Sequence, residues 1–218
     1  QSFRIFNYGA PQLDDLYDKK YLRLSKTYFS RKYNLNLLKK YCLVIYHPVV
    51  EEGEKNKKNF TSFIKSLKKL NLNKIWILPN NDTGGATIRK IINENRESKD
   101  YIFDNLPRKE YLTLLKNSEF IIGNSSSGII ESPSFKIPCI NIGRRQHKRF
   151  RAENVIEIKA LTDSKLKKAI LTINSQKFKK KLLKVNNPYG NGNSSTKIIN
   201  KIVSTNINDK ILYKELIY

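Results

Sequence analysis

Short apolar runs alternate with amphipathic stretches along this chain of 218 residues, and this alternation restricts the fold more than any other feature. The short runs fit strands that are covered on both faces, and the amphipathic stretches have the spacing of helices with one buried side. Their order predicts a mainly parallel sheet between two layers of helices, a Rossmann-like three-layer α/β/α fold. The predicted strands cover residues 4–8, 43–46, 74–78, 101–103, 120–122, 139–142 and 155–158, and the predicted helices cover residues 25–33, 57–70, 85–95, 108–116, 127–135, 163–173 and 196–204.

Length and composition predict one principal domain. Typical domains have roughly 100 to 200 residues, and a hydrophobic share of 39% spread over the chain is enough for one core. We expect residues 1–186 to form the Rossmann-like domain and residues 187–218 to form a linker, a last helix and a tail. No apolar run approaches the roughly 20 residues that cross a bilayer, so we expect no membrane partner.

The two cysteines each lie inside an apolar run, where a thiol packs as a small hydrophobic side chain. Cys42 and Cys139 therefore predict no disulfide, and with only two histidines in the chain they predict no metal site. Free buried thiols fit a reducing cytoplasm.

A formal net charge of +23 is the strongest feature of the composition. It favours attraction to polyanions, so a polyanion-binding module is one hypothesis. The lysines are spread over predicted helices at positions that face solvent, and no motif of a nucleic-acid reader accompanies them. We therefore expect no nucleic-acid partner, and the positive field would also attract an anionic nucleotide sugar.

Polar loops follow four of the predicted strands at their carboxyl ends. Ligands of open α/β sheets bind outside these ends, so we expect the four loops to meet at one edge of the sheet. The loops are residues 47–48, 79–85, 123–128 and 143–146.

The loop Gly-Asn-Ser-Ser-Ser-Gly at residues 123–128 opens a predicted helix. Backbone N–H groups and the hydroxyls of Ser125 and Ser126 can hold a phosphate there, and the alternative is an ordinary helix cap by one of these serines. Glu131 lies about one turn further, where its carboxylate can bind ribose hydroxyls or can be an exposed helical glutamate. The sequence has neither the P-loop motif nor the dinucleotide motif Gly-x-Gly-x-x-Gly.

Two further side chains at strand ends are candidates for the site. Arg145 can make a charge-assisted contact with phosphate, or it can be an ordinary surface cation. His47 can titrate near neutral pH or hydrogen-bond a substrate, although an isolated histidine is more often structural. His147 fits a solvated surface side chain.

Taken in order, these motifs resemble the hydrolysing UDP-N-acetylglucosamine 2-epimerases, and the resemblance covers nearly the whole chain. Enzymes of that family have two Rossmann-like domains that face each other across a cleft, the GT-B arrangement, and the second domain holds most of UDP. The resemblance implies that this chain is the C-terminal half of a GT-B fold. It rests on residues 6–14, 46–48, 79–82, 123–131, 141–146, 151–155 and 187–193.

The resemblance assigns a role to each matched residue in the serine-rich motif. Ser125 and Ser126 would bind the diphosphate, Gly128 would also contact UDP, and Glu131 would bind the ribose hydroxyls. The complete enzyme would convert UDP-N-acetylglucosamine to N-acetylmannosamine and UDP, by anti elimination and then hydration, in sialic or related nonulosonic acid synthesis. No cofactor is implied. The alternatives are a bacillosamine-type UDP-sugar and a GT-B glycosyltransferase.

The other loops receive roles from the same resemblance. Asn80 and Arg145 would bind further parts of UDP, the backbone of Leu106 would read the uracil edge, and His47 would be a catalytic residue beside the sugar or the pyrophosphate. Arg108 and Arg144 depart from the family pattern, and we expect them to alter the substrate preference.

The chain starts at Gln1 and contains no methionine, from which we expect the natural protein to be longer. The family's catalytic carboxylates are mainly in the N-terminal domain, so the chain alone is expected to bind nucleotide but to be inactive. Residues 187–218 would pack toward that domain, and the full-length protein is expected to be a homo-oligomer.

Overall fold

One parallel sheet of six strands carries the fold within the residues that the computed structural model describes, which are 2–18, 24–53 and 55–213. The strands are β1 (Tyr41–Ile45), β2 (Asn73–Ile77), β3 (Tyr101–Phe103), β4 (Phe120–Gly123), β5 (Cys139–Ile142) and β6 (Val155–Ile158). They lie in the order β3-β2-β1-β4-β5-β6, and every neighbouring pair is parallel.

Helices connect the strands and follow the last one. Within the described ranges, each of them is too short or too polar to cross a membrane. The α-helices are α1 (Asp14–Tyr17), α2 (Lys26–Tyr33), α3 (Lys55–Lys68), α4 (Gly85–Asn95), α5 (Arg108–Lys116), α6 (Ser127–Ile130), α7 (Asp163–Asn174), α8 (Gln176–Leu183), α9 (Ser194–Ser204) and α10 (Asp209–Leu212), and 3-10 helices lie at Ser2–Arg4, Pro11–Leu13, Val50–Glu52 and Ser132–Phe135.

Helices cover both faces of the sheet. All residues of β1, β4 and β5 are buried, as expected for strands without a solvent face. Helices α3, α4, α7 and α8 pack on one face, and α1, α2, α5 and α6 pack on the other. Cys42 and Cys139 are free thiols, one in each core cluster. The structure confirms the predicted three-layer α/β/α fold.

The predicted strand over residues 4–8 is wrong. A 3-10 helix forms at Ser2–Arg4 instead, and Ile5 is 77% exposed. The Phe6 ring stacks on Tyr8 with 5.9 Å between the centroids, and Lys201 Nζ lies 4.4 Å from the centre of the Phe6 ring. Strand propensity reflects packing against a neighbouring strand, and this segment has no such neighbour among the described residues.

The predicted helix over residues 127–135 is broken near its middle. Helix α6 ends at Ile130, Glu131 caps it, and a 3-10 turn follows. Pro133 explains the break, because proline has no N–H to continue the helical hydrogen bonds. The Glu131 side chain therefore leaves the backbone at a junction between two short helices.

The order of the strands reverses between β1 and β4. From β1 the chain continues outward through β2 and β3, and it then returns to β4 on the other side of β1. Ile45 and Gly123 lie opposite each other at the ends of these two strands. A reversal of this kind leaves a crevice at the carboxyl ends of the strands, where doubly wound sheets bind ligands.

Hydrogen bonds connect the start of the predicted linker to the domain. Asn187 Nδ2 donates to the carbonyl of Ile130 at 2.7 Å. The Asp14 carboxylate accepts the N–H groups of Ser194 and Ser195 at 3.0 and 2.8 Å, so it caps the start of α9. Packing of the later residues toward a further domain stays a prediction.

The substitution Gly123→Ala tests the close approach of β1 and β4. Gly123 has a φ of +138°, and a Cβ atom there would stand 1.9 Å from the carbonyl oxygen of Ile45. We expect a loss of about 2 kcal/mol or more in the free energy of unfolding, because the backbone clash adds to conformational strain.

Urea denaturation measures this loss, and Gly53→Ala is the matched control. Gly53 also has a positive φ, +48°, but none of the described residues comes within 4 Å of the added methyl group. Equal losses in the two variants would contradict a role for the contact with Ile45.

Candidate functional site

A cavity of about 510 Å³ opens at the carboxyl ends of β1, β2 and β4. Strand ends form its apolar part, loops supply most of its polar groups, and the start of α5 closes one side. The wall is mostly polar, which suits a charged or hydroxyl-bearing ligand held by several hydrogen bonds. The polar lining consists of His47, Asn80, Asn81, Arg89, Asp104, Asn105, Arg108, Tyr111, Ser125, Ser127 and Glu131.

The side-chain amide of Asn124 joins the loop after β1 to the loop after β4. Its Oδ1 accepts the backbone N–H of His47 at 2.7 Å, and its Nδ2 donates to the His47 carbonyl at 2.8 Å. The carbonyl of Asn124 also accepts from Gln146 Nε2 at 2.8 Å and from Arg145 Nη1 at 3.3 Å, which ties in the loop after β5. Asn124 is 1% exposed. Three of the four predicted loops therefore share one anchor.

Glu131 contributes a carboxylate to the cavity wall although only 3% of the residue is exposed. Its Oε1 accepts from Arg108 Nη1 at 2.5 Å and from Gln12 Nε2 at 3.3 Å, and its Oε2 accepts from Ser127 Oγ at 2.5 Å. A carboxylate offers about four lone-pair sites, so one site on Oε2 remains. That site can accept one hydroxyl hydrogen, and a second hydroxyl would displace the long bond from Gln12.

A partly buried tyrosine, Tyr111, fixes the direction of the Ser127 hydroxyl. Ser127 gives its single hydroxyl hydrogen to Glu131, so the Tyr111 hydroxyl donates to Ser127 Oγ. Burial, together with the negative charge of Glu131, raises the pKa of Tyr111 above its ordinary value, so the phenol keeps its proton. These bonds hold the Glu131 carboxylate in one orientation.

His47 lies partly buried on the cavity wall. Burial lowers the pKa of its imidazole, and the positive charge of Arg145 lowers this pKa further. The Asn80 side chain and the Asp82 charge oppose the shift only in part. Nδ1 is buried and has no hydrogen-bond partner among the described residues. A neutral imidazole of this kind can hydrogen-bond a ligand or exchange a proton with it.

Arg145 lines a second cavity, of about 470 Å³, together with Pro48, Asp82 and Arg144. Residues of the two walls are neighbours in the chain, His47 beside Pro48 and Asn81 beside Asp82. Burial lowers the pKa of Arg145, and the Asp82 charge opposes this. The four predicted loops thus meet at one edge of the sheet, as expected.

Ser126, Gly128 and Leu106 are outside the described wall of the first cavity. Gly128 packs on the sheet, where an added Cβ atom would lie 2.6 Å from Cys139 Sγ. Leu106 is 6% exposed, and its N–H donates at 2.9 Å to Oδ1 of Asn105, which does line the cavity. Contacts of these three residues with UDP stay predictions.

Several side chains of the site were not predicted from the sequence, among them Ser127, Asn124 and Tyr111. Ser127 had a readable signal, because a spacing of four on a helix brings it next to Glu131. Asn124 stood in a recognised motif, but its partner His47 is 77 residues away. Tyr111 had no local signal that distinguished it from an ordinary core residue.

The sequence model of the UDP-N-acetylglucosamine 2-epimerase family matches residues 1–203. The chain belongs to this family. It is 38% identical, over 96% of its length, to the UDP-N,N'-diacetylbacillosamine 2-epimerase (hydrolyzing) of Legionella pneumophila. It is 37% identical, over 98% of its length, to the GDP/UDP-N,N'-diacetylbacillosamine 2-epimerase (hydrolyzing) of Campylobacter jejuni. The UDP-N-acetylglucosamine 2-epimerase of Neisseria meningitidis is 31% identical over 68% of the chain.

The chain spans about half the length of the first two of these epimerases, 54% of the Legionella protein and 56% of the Campylobacter protein, and its match covers 38% of the Neisseria protein. Solved structures of the family share the fold. The Neisseria meningitidis UDP-GlcNAc 2-epimerase bound to UDP-GlcNAc has a TM-score of 0.75 at 18% identity, covering 94% of this chain and 57% of that chain. The Methanocaldococcus jannaschii enzyme in complex with UDP-GlcNAc and UDP has a TM-score of 0.69 at 19% identity, covering 94% and 56%. The fold is that of one half of a GT-B epimerase, as predicted.

The lowered pKa of His47 predicts a stability that depends on pH. The unfolded chain protonates His47 near its ordinary pKa of about 6.5, whereas the folded chain resists protonation until a lower pH. Below about 6.5 the unfolded state therefore binds more protons, and the free energy of unfolding falls as the pH falls.

Urea unfolding at several pH values between about 5 and 8 measures this slope. The variant His47→Gln cannot take up the proton and should show a flatter profile. An identical slope in wild type and His47→Gln would show that this imidazole is not the group responsible.

Proposed function

We propose that the chain holds the UDP moiety of a nucleotide sugar for a hydrolysing 2-epimerase. The observation that carries the proposal is the convergence of Ser125, His47 and Glu131 on one cavity at the carboxyl ends of the strands. Glu131 has one free lone-pair site, which suits a hydroxyl donor. The Ser125 hydroxyl and the positive charge of Arg145 suit a phosphate.

The different preferences of these side chains, for a hydroxyl at Glu131 and for a phosphate at Ser125, fix the orientation of UDP in the proposed complex. The ribose lies by Glu131, and the diphosphate extends toward Ser125 and His47, with Arg145 beside them. The uracil then lies at the remaining end, near Asn105, whose amide can both donate and accept hydrogen bonds. The sugar extends out of the cavity, where a second domain can reach it.

The same groups suit the elimination step of the proposed reaction. A base, which the part of the relatives outside the match would supply, takes the C2 proton of the sugar, and a double bond forms between C1 and C2. The bond between C1 and the diphosphate oxygen breaks, and its electron pair leaves negative charge on the phosphate of UDP. A hydroxyl donor at Ser125 and the guanidinium of Arg145 stabilise this charge, because preoriented donors act most strongly where charge develops. His47 is positioned to exchange a proton with the leaving group or the sugar.

We propose a sugar of the N,N'-diacetylbacillosamine type in preference to N-acetylglucosamine. The support is that the relatives at 38% and 37% identity over almost the whole chain carry that name, whereas the Neisseria UDP-N-acetylglucosamine enzyme matches over 68%. A role in sialic or nonulosonic acid synthesis, and a location in the cytoplasm, stay predictions.

We propose the complete reaction for a protein that also contains a counterpart of the region that the relatives have outside the matched residues. Helix α9 offers a surface on which that part could pack, since Ile199, Ile202 and Val203 are 59%, 68% and 80% exposed. Their spacing puts them on one side of the helix. We propose that this side contacts the second domain and that the chain alone turns over little substrate. Self-association of the complete protein stays a prediction.

Two alternatives differ in chemistry from this proposal. A GT-B glycosyltransferase uses the same scaffold, but membership of the epimerase family favours epimerisation. A polyanion-binding module is supported by the net charge of +23 alone.

Isothermal titration of the chain with UDP tests the nucleotide site. We expect Ser125→Ala to weaken UDP binding about tenfold or more, because a hydrogen bond to a charged phosphate contributes about 1.5–3 kcal/mol. Ser126→Ala is the matched control and should lose less, since Ser125 lines the cavity and Ser126 does not among the described wall residues.

Two outcomes would contradict the proposed site. One is equal affinity for UDP in the wild type and in both serine variants. The other is salt-sensitive binding of arbitrary DNA together with no measurable binding of UDP, which would favour the polyanion hypothesis.

A further inference from the structure

Arg108 lies at the amino end of a helix, where a positive charge is unfavourable. It is the first residue of α5, and the amino end of a helix carries partial positive charge, so acidic residues are usually preferred there. Pro107, at the cap position, offers no side-chain hydrogen bond to this end. A residue that breaks a local preference is often retained for a contact elsewhere.

The contacts of Arg108 lie in the proposed ribose subsite. Nη1 donates to Glu131 Oε1 at 2.5 Å, Nη2 donates to the carbonyl of Gln12 at 2.7 Å, and Nε lies 3.6 Å from Asp15 Oδ2. The planar guanidinium can make these contacts together because its five N–H groups point in fixed directions. Arg108 therefore holds Glu131 on one side and the segment around Gln12 on the other.

These contacts determine which oxygen of the Glu131 carboxylate can accept a hydrogen bond from a ligand. The Glu131 side chain is 4% exposed, and a buried carboxylate needs a positive partner and filled hydrogen bonds. Arg108 satisfies Oε1, and Ser127 takes one site on Oε2. The free lone-pair site is thereby confined to Oε2, where it can face a ligand in the cavity.

We infer that Arg108 is a positioning residue that makes this nucleotide site select ribose over a sugar without hydroxyls. It fixes the direction of the one free acceptor site of Glu131, and a ribose hydroxyl fills that site. The inference rests on the proposed function, because it presupposes that UDP binds in this cavity. Lys109, the next residue on α5, makes no ion pair among the described residues and is a matched cation for comparison.

The experiment compares two ligands that differ only in the ribose hydroxyls, UDP and 2′,3′-dideoxyuridine diphosphate. Isothermal titration of the wild-type chain should show UDP binding about tenfold or more tighter, as expected for a hydrogen bond to a charged group. In Arg108→Ala the two affinities should come within about threefold of each other, through loss of UDP affinity while the dideoxy ligand is little changed.

Two further variants separate positioning from a general effect. Arg108→Lys keeps the charge but cannot reach Glu131 and Gln12 together, so its selectivity should be intermediate. Lys109→Ala removes a charge from the same turn and should keep the wild-type selectivity. Thermal unfolding of each variant confirms that the comparison is made on folded protein, and Arg108→Lys serves if Arg108→Ala does not fold.

The outcomes that overturn the inference differ from those that overturn the proposed function. If Arg108→Ala and Arg108→Lys weaken both ligands equally, or leave the ratio of affinities unchanged, Arg108 does not position Glu131 for ribose. If the wild-type chain binds UDP without preferring it to the dideoxy ligand, Glu131 is not a ribose contact. If the wild-type chain binds neither ligand, the proposed function itself fails.

Discussion

The hydrogen bonds between the Asn124 amide and the backbone of His47 are the interaction on which the site depends. They join the ends of β1 and β4, and the Asn124 carbonyl extends the connection to the loop after β5. Gly123 makes this possible, because only a residue without a Cβ atom can come so close to the carbonyl of Ile45. Without this anchor, the side chains that we propose to contact the ligand would lie on loops that are not joined to one another.

The charges around the cavity are arranged in two regions. Glu131 is a buried carboxylate whose charge is balanced by Arg108 and whose hydrogen bonds leave one acceptor site. At the other region, burial and then the positive charge of Arg145 lower the pKa of the His47 imidazole, and Ser125 and Arg145 offer hydrogen-bond donors. A nucleoside diphosphate combines hydroxyl donors with an anionic group, so its two chemical ends match these two regions.

Much of the fold followed from the sequence because a parallel sheet leaves a clear periodic pattern, and six of the seven predicted strands formed. The strand over residues 4–8 failed because its apolar residues indicated burial but not which surface they would meet. Helix α8 was missed because Ser175 ends one helix and caps the next without an intervening loop. At the site, loop positions were predictable from strand ends, whereas the pairing of Asn124 with His47 depends on contacts across 77 residues.

A crystal structure of the chain with UDP is the most direct test of the central claim that the loops at the strand ends form a uridine diphosphate site. We expect a ribose hydroxyl at about 2.5–3.0 Å from Glu131 Oε2 and the diphosphate within hydrogen-bond reach of Ser125 Oγ. UDP bound instead in the larger basic groove of about 920 Å³ between α3 and α4, which Lys57 and Lys65 line, would contradict it.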